Sequence, residues 1–235
     1  MINFDQYEAL TFDCYGTLVD WEGGMLTALR SILANHSIQQ SDSQILEQFA
    51  EFESSLESGE YQRYYDVLRG VVQKFGERSG FTPTETEMNA LPESVKQWQP
   101  FPDTVAALKQ LKQRYKLAII SNVDDDLFAA TATRLEVPFD LVVTAQQVQS
   151  YKPSVRNFEV AIDRLAIPKN KILHVAASPY HDIAPANALG LTNVWVNRRS
   201  GQDGSGAALP VEAQPNLEVP DLQTLVERVQ QVAIS

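Results

Sequence analysis

Residues 9–20 read ALTFDCYGTLVD, an apolar run that ends in one carboxylate, Asp13, and then turns at Gly16 and Thr17. The apolar start favours a buried strand, whereas a carboxylate in an apolar environment is costly unless it is paired. Two explanations are open. Asp13 caps the turn that follows it, or it is a nucleophile presented at the carboxyl end of a sheet strand.

The composition narrows the classes of partner. The chain has 235 residues, 44% of them hydrophobic, and 19 Lys and Arg against 30 Asp and Glu give a net charge of −11. A negative charge of this size repels phosphate backbones and anionic membranes. We therefore expect a small-molecule substrate, and neither a nucleic acid nor a membrane as partner.

The expected location is the cytoplasm. Cys14 is the only cysteine, so no intramolecular disulfide can form, as is usual in a reducing compartment. The N-terminus lacks the basic and apolar regions of a secretory signal, and no apolar run reaches the ~18 residues of a membrane span.

Five short apolar runs are predicted strands, and amphipathic helix patterns separate them. The runs are residues 7–14, 116–122, 140–144, 171–177 and 192–197. Pro102, the acidic run Asp124–Asp126 and Pro153 mark the starts of three helices. This alternation predicts a Rossmann-like α/β core, a parallel sheet with helices on both faces.

The interval 21–98 interrupts the alternation. It contains no convincing strand, and helix-start patterns occur at Ser41–Gln44 and Thr82–Glu85. Because a strand-to-helix connection usually has about 2–6 residues, we expect an inserted all-helical cap domain at 21–98 and a core domain of residues 1–20 and 99–235. Within that core, residues 200–218 are expected to form a surface loop and residues 221–232 a helix.

Polar residues follow four of the predicted strands. They are Asp13 and Thr17, then Ser121 and Asn122, then Lys152, then Asp182. Sites in open α/β sheets lie outside the carboxyl ends of the strands, so we expect these side chains to converge there. A lysine beside Asp13 would hold its carboxylate ionised.

This ordered set resembles the haloacid dehalogenase superfamily, whose core has a nucleophilic aspartate in an hhhDxxGT context, then a Ser or Thr, a Lys, and acidic residues after the fourth strand. The resemblance covers the chain apart from details of the cap. It implies that Asp13 forms a covalent ester or aspartyl-phosphate, which water then hydrolyses. The other catalytic residues it implies are Thr17, Ser121, Asn122, Lys152 and Asp182.

The residue two positions after the nucleophile separates the branches of this superfamily. Phosphatases carry a second Asp there as general acid, whereas this chain has Tyr15, and a pKa of about 10 makes tyrosine a poor acid near neutral pH. A halide leaving group needs no proton. The motifs are most similar to (S)-2-haloacid dehalogenases, a branch in which no cofactor is required, with Tyr15 and Cys14 as substrate-binding neighbours of Asp13.

The residues that recognise the substrate in that branch match less well. Those dehalogenases have an arginine in the first cap helices that helps to bind the halide, whereas residues 31–60 contain no Lys or Arg. The nearest arginines are Arg30 and Arg63. A tyrosine expected shortly after Lys-Pro is Phe158 here, and an asparagine expected after the fourth strand is Pro179.

Two alternative functions stay open. A Mg²⁺-dependent phosphatase would use Asp13, Asp182 and the Tyr15 carbonyl as oxygen ligands. A non-catalytic protein would keep the fold and bind a ligand without turnover. Single residues also have plain structural explanations: Asp182 as the cap of the helix DIAPANAL, and His174 and His181 as structural residues. Related dehalogenases are often dimers, which makes a homodimer the assembly to test.

Overall fold

The computed structural model describes residues 2–201 and 206–232. The strands are β1 (Ala9–Phe12), β2 (Lys116–Ser121), β3 (Leu141–Thr144), β4 (Ile172–Ala176), β5 (Asn193–Val196) and β6 (Leu217–Val219). The helices are α1 (Trp21–Asn35), α2 (Asp42–Glu57), α3 (Tyr64–Ser79), α4 (Glu85–Ser94), α5 (Thr104–Leu111), α6 (Asp125–Leu135), α7 (Ala145–Val148), α8 (Arg156–Leu165), α9 (Ala184–Ala188) and α10 (Leu222–Val232).

The strands form one parallel sheet in the order β3–β2–β1–β4–β5–β6. β1 is therefore central, and its register pairs Thr11 with Ala118 on one side and with His174 on the other. The carboxyl ends of β2 and β4 flank the point where β1 delivers Asp13. The predicted Rossmann-like α/β fold is confirmed.

Alternate residues of β1 pack on opposite faces of the sheet. Leu10 and Phe12 belong to an apolar cluster that includes residues of α5 and α10. Ala9 belongs to a second cluster, which includes Phe158 of α8. Successive side chains of a strand point to opposite faces of the sheet, so both apolar faces need to be covered, and helices cover both.

Four helices and a short 3₁₀ turn, Val95–Gln97, occupy residues 21–98, and no strand lies in that interval. Capping boxes begin α2 at Ser41 and α4 at Thr84, the second of them two residues later than the sequence pattern suggested. Val19 and Pro100 form an antiparallel bridge that holds the two ends of the segment together. The division into a separate cap domain stays a prediction.

The surface loop predicted for residues 200–218 is wrong at its end, because β6 begins at Leu217 and pairs with β5 at the edge of the sheet. A three-residue edge strand is too short for a period-two pattern to reveal it. Residues 202–205 of that loop lie outside the described residues. Over the described ranges, no helix combines the length and apolar character needed to cross a bilayer.

Candidate active site

Asp13 follows β1 directly, and both oxygens of its carboxylate are held. Lys152 Nζ donates to Asp13 Oδ1 at 2.8 Å, and the Thr17 hydroxyl donates to Asp13 Oδ2 at 2.7 Å. Burial raises the pKa of Asp13, and the Lys152 ammonium opposes that rise. Both of these partners are side chains, so the position of Asp13 favours a lysine-paired carboxylate over a cap for the turn.

Lys152 also connects Asp13 to Asp182. Its ammonium donates to Asp182 Oδ1 at 2.7 Å and to the Ile120 carbonyl at 2.9 Å. Burial acts to lower the pKa of Lys152, but the two carboxylates outweigh it and raise the pKa above its ordinary value. The amine is therefore protonated and bridges two carboxylates at the carboxyl edge of the sheet.

Asp182 does not cap the helix that follows it. Ser178 Oγ accepts from His181 N at the start of that turn instead. Burial acts to raise the pKa of Asp182, but Lys152 and His174 outweigh burial and hold the pKa below its ordinary value. Asp182 is thus a buried, ionised partner of the lysine.

His174 belongs to the same network, although its sequence context indicated only a structural residue. Its Nε2 lies 3.1 Å from Asp182 Oδ1, and its Nδ1 lies 2.9 Å from Thr11 Oγ1. All three side chains are fully buried. The signal that could have found it is the parallel pairing of Thr11 with His174, a polar pair inside two buried strands.

Loop residues fix the backbone around Lys152 and Asp13. Asn122 Nδ2 donates to Lys152 O at 3.0 Å, and Asn122 Oδ1 accepts from Lys152 N at 2.7 Å. Thr17 Oγ1 accepts from Ala177 N at 2.8 Å, so it links the turn after β1 to the end of β4. Asn122 and Thr17 therefore hold Lys152 and Asp13 in place through these contacts.

The turn after β1 requires a glycine. Gly16 has φ +90°, and a Cβ at this position would lie 2.8 Å from Trp21 Nε1. The neighbouring Tyr15 places its hydroxyl 2.9 Å from Thr131 Oγ1. Burial raises the pKa of Tyr15 well above its ordinary value, so this phenol is no general acid near neutral pH.

A cavity of about 1030 Å³ lies at the carboxyl edge of the sheet. The sequence-predicted residues that line it are Asp13, Tyr15, Ser121, Asn122, Lys152 and Asp182. The aromatic side chains that line it are Tyr15, Trp21, Tyr64, Phe101 and Trp195. The Ser121 hydroxyl is buried there without a hydrogen-bond partner among the described residues, which makes it available to a ligand.

The structure does not bring Cys14 to this cavity. Its side chain is fully buried in the apolar cluster on the opposite side from Asp13, because successive residues of an extended chain point to opposite faces. Thr17 is also fully buried and reaches the site through Asp13 and Ala177 N. Of the two expected substrate-binding neighbours, Tyr15 alone lines the cavity.

The two arginines of the cavity are each paired with a carboxylate. Arg198 Nη1 donates to both oxygens of Asp103 at 2.9 Å. Arg199 Nη1 lies 2.5 Å from Glu22 Oε2. Burial lowers the pKa of His181, which also lines the cavity, to about 4, so its imidazole is neutral near pH 7.

The other departures from the dehalogenase pattern lie outside or at the edge of the cavity. Arg30 contacts Asp42, and Arg63 donates to Asp126 at 2.8 Å; neither arginine lines the cavity. Phe158 is fully buried against the His174 ring, at a centroid distance of 5.1 Å. Among the described residues that line the cavity, both arginines, Arg198 and Arg199, are therefore engaged by carboxylates.

Helix α2 contributes a buried carboxyl, Glu53, that the sequence did not reveal. Glu53 is 5% exposed and lines the cavity, and the Tyr64 hydroxyl donates to its Oε1 at 2.7 Å. Burial raises the pKa of Glu53 to about 8. An acidic residue on an amphipathic helix usually faces solvent, so only the placement of α2 beside the cavity shows this position.

The contacts leave few oxygens for Mg²⁺. Both oxygens of Asp13 and one oxygen of Asp182 are engaged, and Asp182 Oδ2 is the carboxylate oxygen without a partner. No group of three His, Cys, Asp or Glu in the described residues is arranged to hold a metal. Mg²⁺ is usually bound by one or two carboxylates and keeps several waters. Asp182 Oδ2 is open to such an ion, whereas Asp13 would have to share an oxygen that Lys152 or Thr17 already contacts.

Comparisons with known proteins find similar sequences and a similar fold among dehalogenases. (S)-2-haloacid dehalogenase H-109 of Pseudomonas putida is 27% identical over 230 residues, 92% of this chain and 94% of that protein. (S)-2-haloacid dehalogenase 4A of Burkholderia cepacia is 26% identical over 211 residues, 83% of this chain and 85% of that protein. A crystal structure of an L-2-haloacid dehalogenase is similar with a TM-score of 0.77 and 25% identity, covering 95% of this chain and 99% of that one.

A sequence model of a whole family matches residues 7–190, which include Asp13, Lys152 and Asp182. That match spans most of the chain and the carboxyl ends of β1 to β4. The chain belongs to the haloacid dehalogenase-like hydrolases.

Proposed function

We propose that this protein hydrolyses a carbon–halogen bond of a small molecule, with Asp13 as the nucleophile, in the manner implied by its similarity to (S)-2-haloacid dehalogenases. The observation that carries the proposal is the Asp13 carboxylate, held by Lys152 and Thr17 beside the cavity. Tyr15, two residues on, offers no proton to a leaving alcohol, whereas a halide leaves without one. The reaction needs no cofactor, and we place it in the cytoplasm.

The reaction has two steps. An Asp13 oxygen attacks the carbon that bears the halogen; the carbon–oxygen bond forms as the carbon–halogen bond breaks, and the halide leaves with the bonding electrons. Water then adds to the ester carbonyl of Asp13, the alcohol departs, and the carboxylate is restored. One proton from that water passes to solvent. In total, one molecule of the halide compound and one water give one alcohol, one halide ion and one proton.

The supporting residues have separate roles in this scheme. Lys152 keeps Asp13 ionised before attack and offsets charge on its oxygens during ester hydrolysis. Asp182 and Asn122 hold the lysine, one at its ammonium and the other at its backbone. The unpartnered Ser121 hydroxyl is placed to donate to the substrate.

The phosphatase alternative has weaker support. It would require another group to replace the missing general acid, because Tyr15 stands at that position. The unpartnered Asp182 Oδ2 is the observation in its favour. Phosphate release with and without Mg²⁺ therefore belongs in the same assay.

The test is a paired screen of halide and phosphate release, with and without Mg²⁺, on the wild type, Asp13→Asn and the control Asp163→Asn. Asp163 is exposed on α8 and does not line the cavity. We expect metal-independent halide release that is lost in Asp13→Asn and kept in Asp163→Asn. Turnover in H₂¹⁸O should place ¹⁸O in the peptide that contains Asp13, because water attacks its carbonyl. Halide release that leaves this peptide unlabelled through many turnovers would overturn the ester mechanism.

A further inference from the structure

We propose that Glu53 selects substrates that carry a positively charged nitrogen, so that the natural electrophile is an amine-bearing small molecule and not a simple halocarboxylate. The turnover part of this inference rests on the proposed function of Asp13. The binding part stands without it. The argument begins with the contacts of Glu53.

Glu53 is a carboxyl beside the cavity without a cationic partner. Tyr64 fixes its orientation through the 2.7 Å hydrogen bond to Oε1. No Lys, Arg or His among the described residues contacts it. Glu57, one turn further along α2, is its acidic neighbour, and burial together with Glu53 raises the pKa of Glu57. A ligand cation would supply the missing partner.

The cations of the cavity are already engaged, which disfavours a carboxylate ligand. Lys152 serves Asp13 and Asp182, Arg198 is bidentate on Asp103, and Arg199 is paired with Glu22. Binding a haloacid carboxylate would place a negative charge beside these ion pairs without an uncommitted cation in the cavity to receive it. The halide-binding arginine of the family has no counterpart here either, because residues 31–60 contain no Lys or Arg.

Two further features of the cavity suit an amine. Tyr64 and Trp21 line it beside α2, and aromatic faces attract a desolvated ammonium. Independently of the acidic residues, the Ser121 hydroxyl is buried in the same cavity without a partner, as expected of a group that waits for a polar ligand atom.

Binding of an ammonium should be coupled to a proton. Because burial keeps Glu53 largely protonated near neutral pH in the empty cavity, an arriving ammonium ionises it, and the carboxyl proton leaves to solvent. Calorimetry in two buffers of different ionisation enthalpy counts this proton directly. An ion pair formed at Glu53 releases this proton, whereas a general attraction of cations to an acidic protein releases none. The number of protons released therefore distinguishes the two.

Three probes of equal length provide the binding test: N-(2-aminoethyl)acetamide, N-acetyl-β-alanine and N-propylacetamide, which differ only in a terminal ammonium, carboxylate or methyl group. We expect the ammonium probe to bind at least about tenfold more tightly than the other two and to release about one proton at pH 7. Glu53→Gln keeps the shape and the Tyr64 contact, and it should lose both the preference and the proton. Glu51→Gln, at an exposed position of the same helix that pairs with Arg78, should keep both.

The chloroacetyl counterparts of the three probes test turnover through halide release. If the binding preference holds but none of them releases chloride, the inference about Glu53 stands and the dehalogenase proposal fails. If chloride is released equally from all three and Glu53→Gln changes nothing, the dehalogenase proposal stands and the inference fails. Tighter binding of N-acetyl-β-alanine would also overturn it. Tyr64→Phe, which leaves the carboxyl in place, should retain the preference in weakened form if Glu53→Gln does not fold.

Discussion

The Lys152 ammonium and the Asp13 carboxylate form a buried ion pair of 2.8 Å at the centre of the sheet edge. The same ammonium holds Asp182, so one positive charge serves two carboxylates. Removing one partner of a buried ion pair lowers the stability of the fold by much more than the intact pair contributes on balance. The charge that remains then has neither its partner nor water around it. The fold and the chemistry therefore depend on the same three side chains.

Lys152→Met should destabilise the protein by about 3–5 kcal/mol at neutral pH, since Asp13 and Asp182 are then left as unpaired buried charges. Urea unfolding measures the loss. Lys109→Met is the matched control, because Lys109 pairs with Glu136 in solvent and should contribute at most about 1 kcal/mol. Equal effects of the two substitutions would contradict the geometry.

The damage from Lys152→Met should shrink as the pH falls. Without the ammonium, the pKa values of Asp13 and Asp182 rise above those of the unfolded chain, so the folded variant binds protons that the unfolded one has lost. The unfolding free energy of the variant therefore falls as the pH rises, and a lower pH reduces the destabilisation. Unfolding free energies at pH 5, 6 and 7 check this; a difference from wild type that is constant across them would count against it.

Thr17→Val should cost about 1–3 kcal/mol and most of the halide release, because it removes a donor to Asp13 and an acceptor from Ala177 N in a fully buried place. Thr17→Ser keeps both hydrogen bonds and should retain activity. Chemical denaturation and initial rates on the same samples test the pair. The prediction fails if valine and serine behave alike.

Gly16→Ala should destabilise the turn by about 1–3 kcal/mol, because φ is +90° and the new methyl group would meet Trp21. Trp21 lines the cavity, so activity should fall as well. Gly59→Ala is the control: no atom lies within 4 Å of its Cβ position. Thermal melts should show a lower Tm for the first variant only.

Glu53→Gln should change how stability depends on pH. The pKa of Glu53 is about 8 against an ordinary 4.5, so between these values the folded protein keeps a proton that the unfolded chain has lost. This contribution is complete below pH 4.5 and falls by about 1.4 kcal/mol per pH unit until pH 8. Wild-type stability should therefore decline relative to Glu53→Gln from pH 5 to 8. Glu51→Gln, on the exposed side of α2, should run parallel to wild type throughout.

The sequence could predict those site residues that follow strands. Asp13, Ser121 and Asp182 come at or just beyond strand ends, and in a parallel sheet those ends meet at one edge whatever the detailed packing. His174 could not be recognised in this way, because its contact with Asp182 depends on the register of β4 and on a ring nitrogen. The position of Glu53 in the cavity depends on how α2 packs, and the spacing of residues along a helix does not reveal that packing.

The hydrogen bonds at the base of the inserted helices have a wider consequence. Asp20 N donates to Gln99 O at 2.9 Å and Phe101 N donates to Leu18 O at 3.0 Å, so the chain leaves the core and returns to it at neighbouring points. An insertion whose ends coincide can be replaced or resized while the sheet keeps its path. On the predicted boundaries, Glu53 lies in the insertion and Asp13 in the core, so a lineage could acquire a new substrate without rebuilding the proposed nucleophile.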